Sequence, residues 1–172
     1  RLAFDKHASK LCLKAAGVPT PAWEFLDKGG ERSLSLPVVV KPQSQGSSFG
    51  VHRVFTEAAW APAIADALSY GGRALVEVFI EGQELTVGIL GDQALPVIEI
   101  RAPNGDYNYS AKYTSGVTEY LVPAPMDESA SQLVRDVAMA TYRALGGRGF
   151  GRVDLRRNAK GEVFVLELNT IP

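Results

Sequence analysis

The residues best equipped for chemistry lie near the end of the chain, where Gly151-Arg152-Val153-Asp154 is followed by the run EVFVLELN from Glu162 to Asn169. Phe150 to Arg156 and Glu162 to Asn169 are predicted to form a hairpin around Asn158-Ala159-Lys160-Gly161. Side chains alternate along a strand, so Glu167 and Asn169 share one face. Pairing position 158 with 161 puts Arg152 and Asp154 on that face and turns Phe164, Leu166 and Leu168 into a core. Two carboxylates brought this close repel, so they need a cation or a raised pKa. Two carboxylates and an amide oxygen are hard donors of the kind that hold Mg²⁺ together with water and phosphate oxygens. The competing reading is a solvated hairpin face with an ion pair such as Arg152 to Glu167. It sits uneasily with a strand otherwise as apolar as VFVLEL.

The second chemical stretch is Lys41 to Gly50, KPQSQGSSFG. Its GSSFG fits the G-x-S-x-G pattern of a hydrolase nucleophile elbow, which needs a strand before the serine and a helix after it. Here a second strand is expected to follow, and the only later histidine, His52, comes four residues after Ser48 with no acid between them. The context therefore argues against a nucleophile. A phosphate-covering flap fits better. Gly46 and Gly50 let backbone N–H groups approach anionic oxygens, and Lys41 ends an apolar strand where its ammonium can reach a phosphate. On these residues alone an exposed hairpin loop with a solvated lysine stays open.

These stretches must be carried by a scaffold. Asp5 can cap a first helix whose apolar stripe is Ala8, Leu11, Cys12, Ala15 and Ala16, ended by Gly17 and by Pro19 and Pro21. Leu36 to Lys41 and Val51 to Phe55 read as strands, and Thr56 to Leu68 as a helix around Pro62. Arg73 to Phe79, Gln83 to Leu90 and Gln93 to Ile100 read as three successive antiparallel strands joined by short turns. Asn104 to Gly116 reads as a long polar loop, in which Tyr107 and Tyr109 either pack or meet substrate. Asp127 to Leu145 holds helical spacing throughout. Irregular alternation with hairpins points to an α+β fold in two lobes, divided near Gly71-Gly72.

The 172 residues are 46% hydrophobic and 22% charged, enough for a packed core. A net charge of −1 lacks the basic excess of nucleic-acid binders, so no nucleic acid is expected. No apolar run approaches the ~18 residues of a membrane span, and no secretion signal is expected. The single cysteine excludes an internal disulfide and fits a reducing, cytoplasmic setting. Cys12 is expected to be a small core residue, His7 and His52 surface residues, Trp23 and Phe25 packing residues, and Arg156-Arg157 a solvated strand end.

Six stretches together resemble the D-alanine–D-alanine ligase family of the ATP-grasp superfamily. They are Asp5-Lys6 with Ala16 to Pro21; Val40-Lys41-Pro42 with Gly46 to Gly50; Val76-Glu77 with Glu84 to Val87; Ala111-Lys112-Tyr113; Gly151 to Asp154; and Glu167 to Thr170. The resemblance implies an ATP-grasp fold of two lobes, each an antiparallel sheet with packed helices, with the nucleotide between them. Residues 1–72 would be the small lobe with the phosphate-covering loop, and residues 73–172 the large lobe with the metal-binding hairpin. It implies that Lys6 and Lys41 hold the α- and β-phosphates of ATP and that Lys112 approaches the γ-phosphate. Glu77 would open the segment between the lobes, the backbone of Val78 and Ile80 would bond the adenine edge beside Phe79, and Glu84 would accept from the ribose. Asp154, Glu167 and Asn169 would hold two Mg²⁺ ions, or Mn²⁺ in their place. Arg152 would stabilise an oxyanion, and Ser47 would join Tyr113 in a network that closes the long loop.

The implied activity joins two D-alanines through an acyl phosphate, for peptidoglycan precursor synthesis, with a homodimer of the full-length enzyme as partner state. Lys112-Tyr113 implies dipeptide rather than depsipeptide formation. The family's N-terminal domain and the Gly-Met-Thr stretch that follows Asn-Thr-x-Pro have no counterpart between Arg1 and Pro172. The chain is therefore expected to be a piece of a longer protein and to turn over poorly alone. Another ATP-grasp carboxylate–amine ligase and a non-catalytic nucleotide-binding module are the alternatives.

Overall fold

The computed structural model describes residues 2–46, 48–102 and 118–170. They fold into two antiparallel sheets, each with its own apolar core. The first sheet has the order β1-β4-β2-β3, from β1 (Trp23–Asp27), β2 (Val38–Pro42), β3 (His52–Val54) and β4 (Arg73–Val78). Along β2, Val38 and Val40 turn inward onto Ala63 and Ala67 of helix α2 (Glu57–Ser69), which carries Pro62 within it. The period of two then leaves Val39 and Lys41 on the opposite face. Val39 pairs with Glu77 on β4 and with Arg53 on β3, so this second face is the polar one.

The second sheet runs β10-β9-β5-β7-β8. It comprises β5 (Gln83–Leu90), β7 (Ile98–Arg101), β8 (Glu119–Leu121), β9 (Phe150–Arg157) and β10 (Val163–Asn169), with the short β6 (Gln93–Ala94) also pairing with β5. Helix α3 (Glu128–Ala144) lays Val134, Ala138 and Tyr142 onto Leu85, Val87, Val153 and Leu155. Its cap is Asp127, whose carboxylate accepts from the Ala130 N–H at 2.8 Å. Helix α1 (Lys6–Ala15) is capped in the same way by Asp5, which accepts from His7 and Ala8.

Three expectations are corrected here. The division near residue 72 separates β4 from its partners: β4 is hydrogen-bonded between β1 and β2 and belongs to the first sheet. It does not pair with β5, because Phe79 to Gly82 crosses from one sheet to the other instead of turning back. Second, α1 packs against the second core through Leu13, followed by Val18. The expected stripe fails at Leu11, which is 50% exposed, while Ser9, Lys10 and Leu13 are buried. A short helix with apolar residues on several faces offers no unique stripe, and the choice went to the face whose lysine has a buried counter-charge.

Third, the final hairpin is not in continuous register. Val165 pairs with Leu155 but Glu167 pairs with Asp154, so Leu166 is an extra residue in β10. Leu168 is buried as expected, but Val163 and Val165 take the core places expected for Phe164 and Leu166. Two short strands, β1 and β8, have no counterpart in the sequence reading.

The lysine of α1 explains much of the assembly. Lys10 and Glu77 are 2% and 1% exposed, and Lys10 Nζ lies 2.7 Å from Glu77 Oε2. Lys41 bonds Glu77 Oε1, and Lys10 also donates to Thr20 Oγ1, which in turn donates to the Val165 carbonyl at 2.8 Å. One carboxylate thus ties α1, β2 and β4, with a relay to β10. Burial pushes the Glu77 carboxyl up, but Lys10 and Lys41 outweigh it and hold it down at about 2. Burial, with Lys41 nearby, lowers the Lys10 pKa against the pull of Glu77.

Because the folded carboxyl lies below its ordinary 4.5, its stabilisation is complete above about pH 4.5 and is lost as pH falls through about 2. Glu77→Gln should cost roughly 3–5 kcal/mol at pH 7, since it leaves a buried ammonium without a counter-charge. In urea unfolding, that gap should narrow below pH 4.5; a gap constant down to pH 2 would contradict the ion-pair account. At the crossing, Gly82 has φ +139°, and a Cβ there would lie 2.1 Å from the Arg157 carbonyl oxygen. Gly82→Ala should therefore destabilise by roughly 2–4 kcal/mol, visible as a lower urea midpoint.

Candidate functional site

The polar faces of the two sheets enclose a cleft. The first sheet contributes Val39, Lys41, Arg53, Glu77 and Val78; the crossing segment contributes Phe79 and Ile80; and the second sheet contributes Glu84, Asp154, Arg156, Leu166 and Glu167. Lys6, Gln45, Gly46, Ser48 and Val51 complete the wall. Period-two alternation does the sorting: Val38 and Val40 of β2, Leu85 and Val87 of β5, and Val153 and Leu155 of β9 go to the cores, which leaves Val39, Lys41, Glu84, Asp154 and Arg156 on the cleft side.

At one end stand three cations. Lys6, the first residue of α1, donates from Nζ to the Gln45 carbonyl, and its backbone N–H reaches the Gln43 carbonyl at 3.4 Å. Burial lowers the Lys6 pKa and Lys41 adds to this, while Glu167, Glu77 and Asp5 oppose it. Lys41 and the fully buried Lys10 share Glu77. The single glutamate cannot neutralise two lysines, so this end of the cleft favours an anion. Ser48, at φ +60°, sits in the turn between β2 and β3, with no helix behind it. His52 is hydrogen-bonded to Asp66 of α2 at 2.6 Å, and among the described residues no hydrogen bond joins it to Ser48.

At the crossing segment the Val78 N–H goes to the Ala22 carbonyl (2.9 Å) and the Phe79 N–H to the Pro37 carbonyl (3.1 Å). The N–H of Ile80 meets no backbone carbonyl among the described residues. Glu84 accepts from Arg156 Nη2 at 2.6 Å, and Arg53 Nη2 stands 4.0 Å from the same oxygen. Burial pushes the Glu84 carboxyl up, Asp154 adds to this, and the two arginines oppose it. Arg156, expected as a solvated strand end, is 8% exposed; it is buried because it meets a carboxylate and two carbonyls across β5.

The hairpin corner gathers Arg152, Asp154, Glu167 and Asn169. Glu167 faces Asp154 and Asn169 faces Arg152 across the β9–β10 ladder. The Asp154 carboxylate accepts from Arg152 Nε (2.9 Å) and Nη2 (3.0 Å), from Thr86 Oγ1 (2.7 Å) and from Asn169 Nδ2 (2.9 Å). Arg152 thus bonds Asp154 rather than Glu167. Among the described residues Glu167 takes no hydrogen bond or ion pair, and no group of three or more His, Cys, Asp or Glu converges. The donor set is two carboxylates and an amide oxygen, open to further oxygens from water or phosphate. That matches Mg²⁺, which keeps waters and shares anionic oxygens rather than filling an all-protein cage.

Of the residues singled out from sequence, Lys6, Lys41, Glu77, Val78, Phe79, Ile80, Glu84, Asp154 and Glu167 line one cleft, with Arg152 and Asn169 bonded to Asp154 beside it. Ser47, Lys112, Tyr113, the loop Asn104 to Gly116 with Tyr107 and Tyr109, and residues 171–172 lie outside the described residues. Sequence reasoning missed Lys10, Arg53, Arg156 and Leu166. Arg156 carried a signal, for it alternates with Leu155 on the same face as Asp154. Lys10 carried none beyond its place three residues before Leu13.

A family model described as D-ala D-ala ligase C-terminus matches residues 12–172. Among curated proteins, the D-alanine--D-alanine ligase of Desulforudis audaxviator (strain MP104C) is 46% identical over 182 residues, covering 99% of this chain and 59% of that relative. Among solved structures, the VanG D-Ala:D-Ser ligase from Enterococcus faecalis superposes with a TM-score of 0.86 at 32% identity, covering 99% of this chain and 53% of that one. The D-alanine--D-alanine ligase from Bacillus anthracis complexed with ATP gives a TM-score of 0.82 at 26% identity, covering 99% and 56%. The chain spans somewhat more than half the length of the relatives it matches. With that match running from the end of α1 through both sheets and the hairpin corner, the chain belongs to the D-ala D-ala ligase C-terminus family.

Proposed function

We propose that the chain is the nucleotide- and metal-binding core of an ATP-dependent, ADP-forming D-alanine–D-alanine ligase acting in peptidoglycan precursor synthesis. The observation that carries this is one cleft lined by lysines, by the crossing segment, by the half-buried Glu84 carboxylate and by the two-carboxylate hairpin. Cations, an apolar segment with a backbone edge, an acceptor for hydroxyls and hard oxygen donors are what the phosphates, the base, the ribose and a phosphate-bound metal would each require. The kinship with ligases, one of them complexed with ATP, points the same way.

In this reading Lys6 and Lys41 hold the α- and β-phosphates, and Lys112 approaches the γ-phosphate. With the Val78 N–H committed to Ala22, the base edge is left to the Val78 carbonyl and the Ile80 N–H. Glu84 accepts from the ribose hydroxyls. Asp154, Glu167 and Asn169 would hold Mg²⁺, two ions in the family's pattern or Mn²⁺ in their place; bound there, the metal neutralises charge on the transferring phosphoryl oxygens. The carboxylate of the first D-alanine attacks the γ-phosphorus, the bond to the ADP oxygen breaks, and an acyl phosphate forms. The amine of the second D-alanine then attacks the acyl carbon, and phosphate leaves as the amine proton is lost. Arg152 supplies donors for the oxyanion of that tetrahedral intermediate, a role worth about 3–4 kcal/mol in comparable sites. Ser47 and Tyr113 close the long loop over the site and exclude water.

No helix among the described residues is long and apolar enough to cross a membrane. A cytoplasmic enzyme, homodimeric at full length, fits substrates that are ATP and a free D-amino acid. The neighbouring D-Ala:D-Ser ligase makes the second substrate the finer question, and D-alanine is our assignment.

The full-length protein should release ADP on addition of D-alanine in a coupled assay, more slowly with D-serine or D-lactate, and the 172-residue chain alone should show little or no turnover. Absence of ADP release with all three would remove the ligase assignment. In the full-length protein Asp154→Asn should lower kcat by about 10²-fold or more, because it removes charge at the phosphoryl group. Undiminished turnover in that variant would remove the hairpin from the chemistry.

A further inference from the structure

Arg156 is a buried cation for which the ligation chemistry has no use. Its guanidinium nevertheless meets four groups. Nη1 donates to the carbonyls of Ile80 (3.4 Å) and Gly82 (3.3 Å), Nη2 donates to Glu84 Oε2 (2.6 Å), and its centre stands 5.4 Å from the Phe79 ring. Arg53, from the other sheet, stands 5.3 Å from the same ring and 4.0 Å from the same carboxylate oxygen. Phe79 and Glu84 are thus held between two guanidinium groups from opposite lobes, and Arg156 is the one that also bonds the crossing backbone. Both arginines approach Oε2, so among the described residues Glu84 Oε1 is the oxygen without a partner.

We infer that Arg156 is a positioning residue that couples recognition of the base to recognition of the sugar. This rests on the nucleotide reading of the cleft. Through Ile80 and Gly82 it sets the segment that would face the base; through Glu84 it aims one carboxylate oxygen at the ribose hydroxyls. Only a planar fork of donors can serve both at once. A lysine could hold the carboxylate but not both carbonyls as well. A site built to bond a hydroxyl rejects the analogue lacking it, and that discrimination depends on how firmly the acceptor is held.

The test uses the full-length protein with an ATP analogue, its 3′-deoxy counterpart and a guanine nucleotide, with affinities measured by calorimetry and folding by thermal melting. Arg156→Met should weaken the ATP analogue about ten-fold and bring its preference over the 3′-deoxy compound about ten-fold closer to unity. Arg156→Lys should recover preference for the hydroxyl but not preference for adenine over guanine. If Arg156→Met does not fold, Arg156→Lys carries the same readouts. A variant that binds every nucleotide with wild-type affinity and wild-type preferences overturns the inference. So does one that weakens all three equally while its melting temperature falls. If the wild-type protein takes up no nucleotide, the reading of the cleft fails first and the inference goes with it.

Discussion

The molecule is organised around one buried carboxylate. Glu77 has no access to water, and a lone charge in such a place would be neutralised or expelled. It is kept ionised by Lys10 from below and Lys41 from the cleft, and these lie on α1 and β2, elements of different cores. Where the lobes meet, a charge balance therefore joins elements of the two cores. The balance is also deliberately uneven. Two ammonium groups on one carboxylate leave positive charge at the end of the cleft where Lys6 adds more, so the device that joins the lobes also sets the sign of the potential there.

A second asymmetry lies at the hairpin. Asp154 is fully engaged, by Arg152, Thr86 and Asn169, whereas Glu167 next to it is not. The corner thus pairs an oriented carboxylate with an adaptable one. The extra residue Leu166 makes this arrangement by shifting β10 half a pleat, so that Val165 stays in the core while Glu167 still faces Asp154. Leu166 itself is turned into the cleft, where it supplies apolar surface beside the acids.

The chemistry was more legible in the sequence than the connectivity. Asp154, Glu167 and Asn169 announce themselves as polar atoms in apolar strands, and Lys41 as a charge ending a run of valines; both signals are local. The pairing of β4 with β1 and β2 is not local, because nothing in Arg73 to Val78 says whether the next four residues turn back or cross over. Lys10 shows the same limit from the other side. On a helix it reads as a solvated lysine, and only the distant Glu77 makes its burial affordable. The bulge at Leu166 was invisible because both registers alternate equally well until the core decides between them. Arg156 was misread because its partners, Glu84 and two backbone carbonyls, come from β5 and the crossing.

The first sheet is, in chain terms, an insertion. The backbone leaves the second lobe after Thr20, builds β1 to β4, and returns through Phe79 to Gly82. The outgoing and returning passages touch, with the Val78 N–H bonded to the Ala22 carbonyl. Two connections side by side act as a door hung on a pair of adjacent pins. The Lys6 bonds to the Gln43 and Gln45 carbonyls fasten the β2–β3 turn to α1 as a third point, so any swing of that turn away from the cleft has to part them.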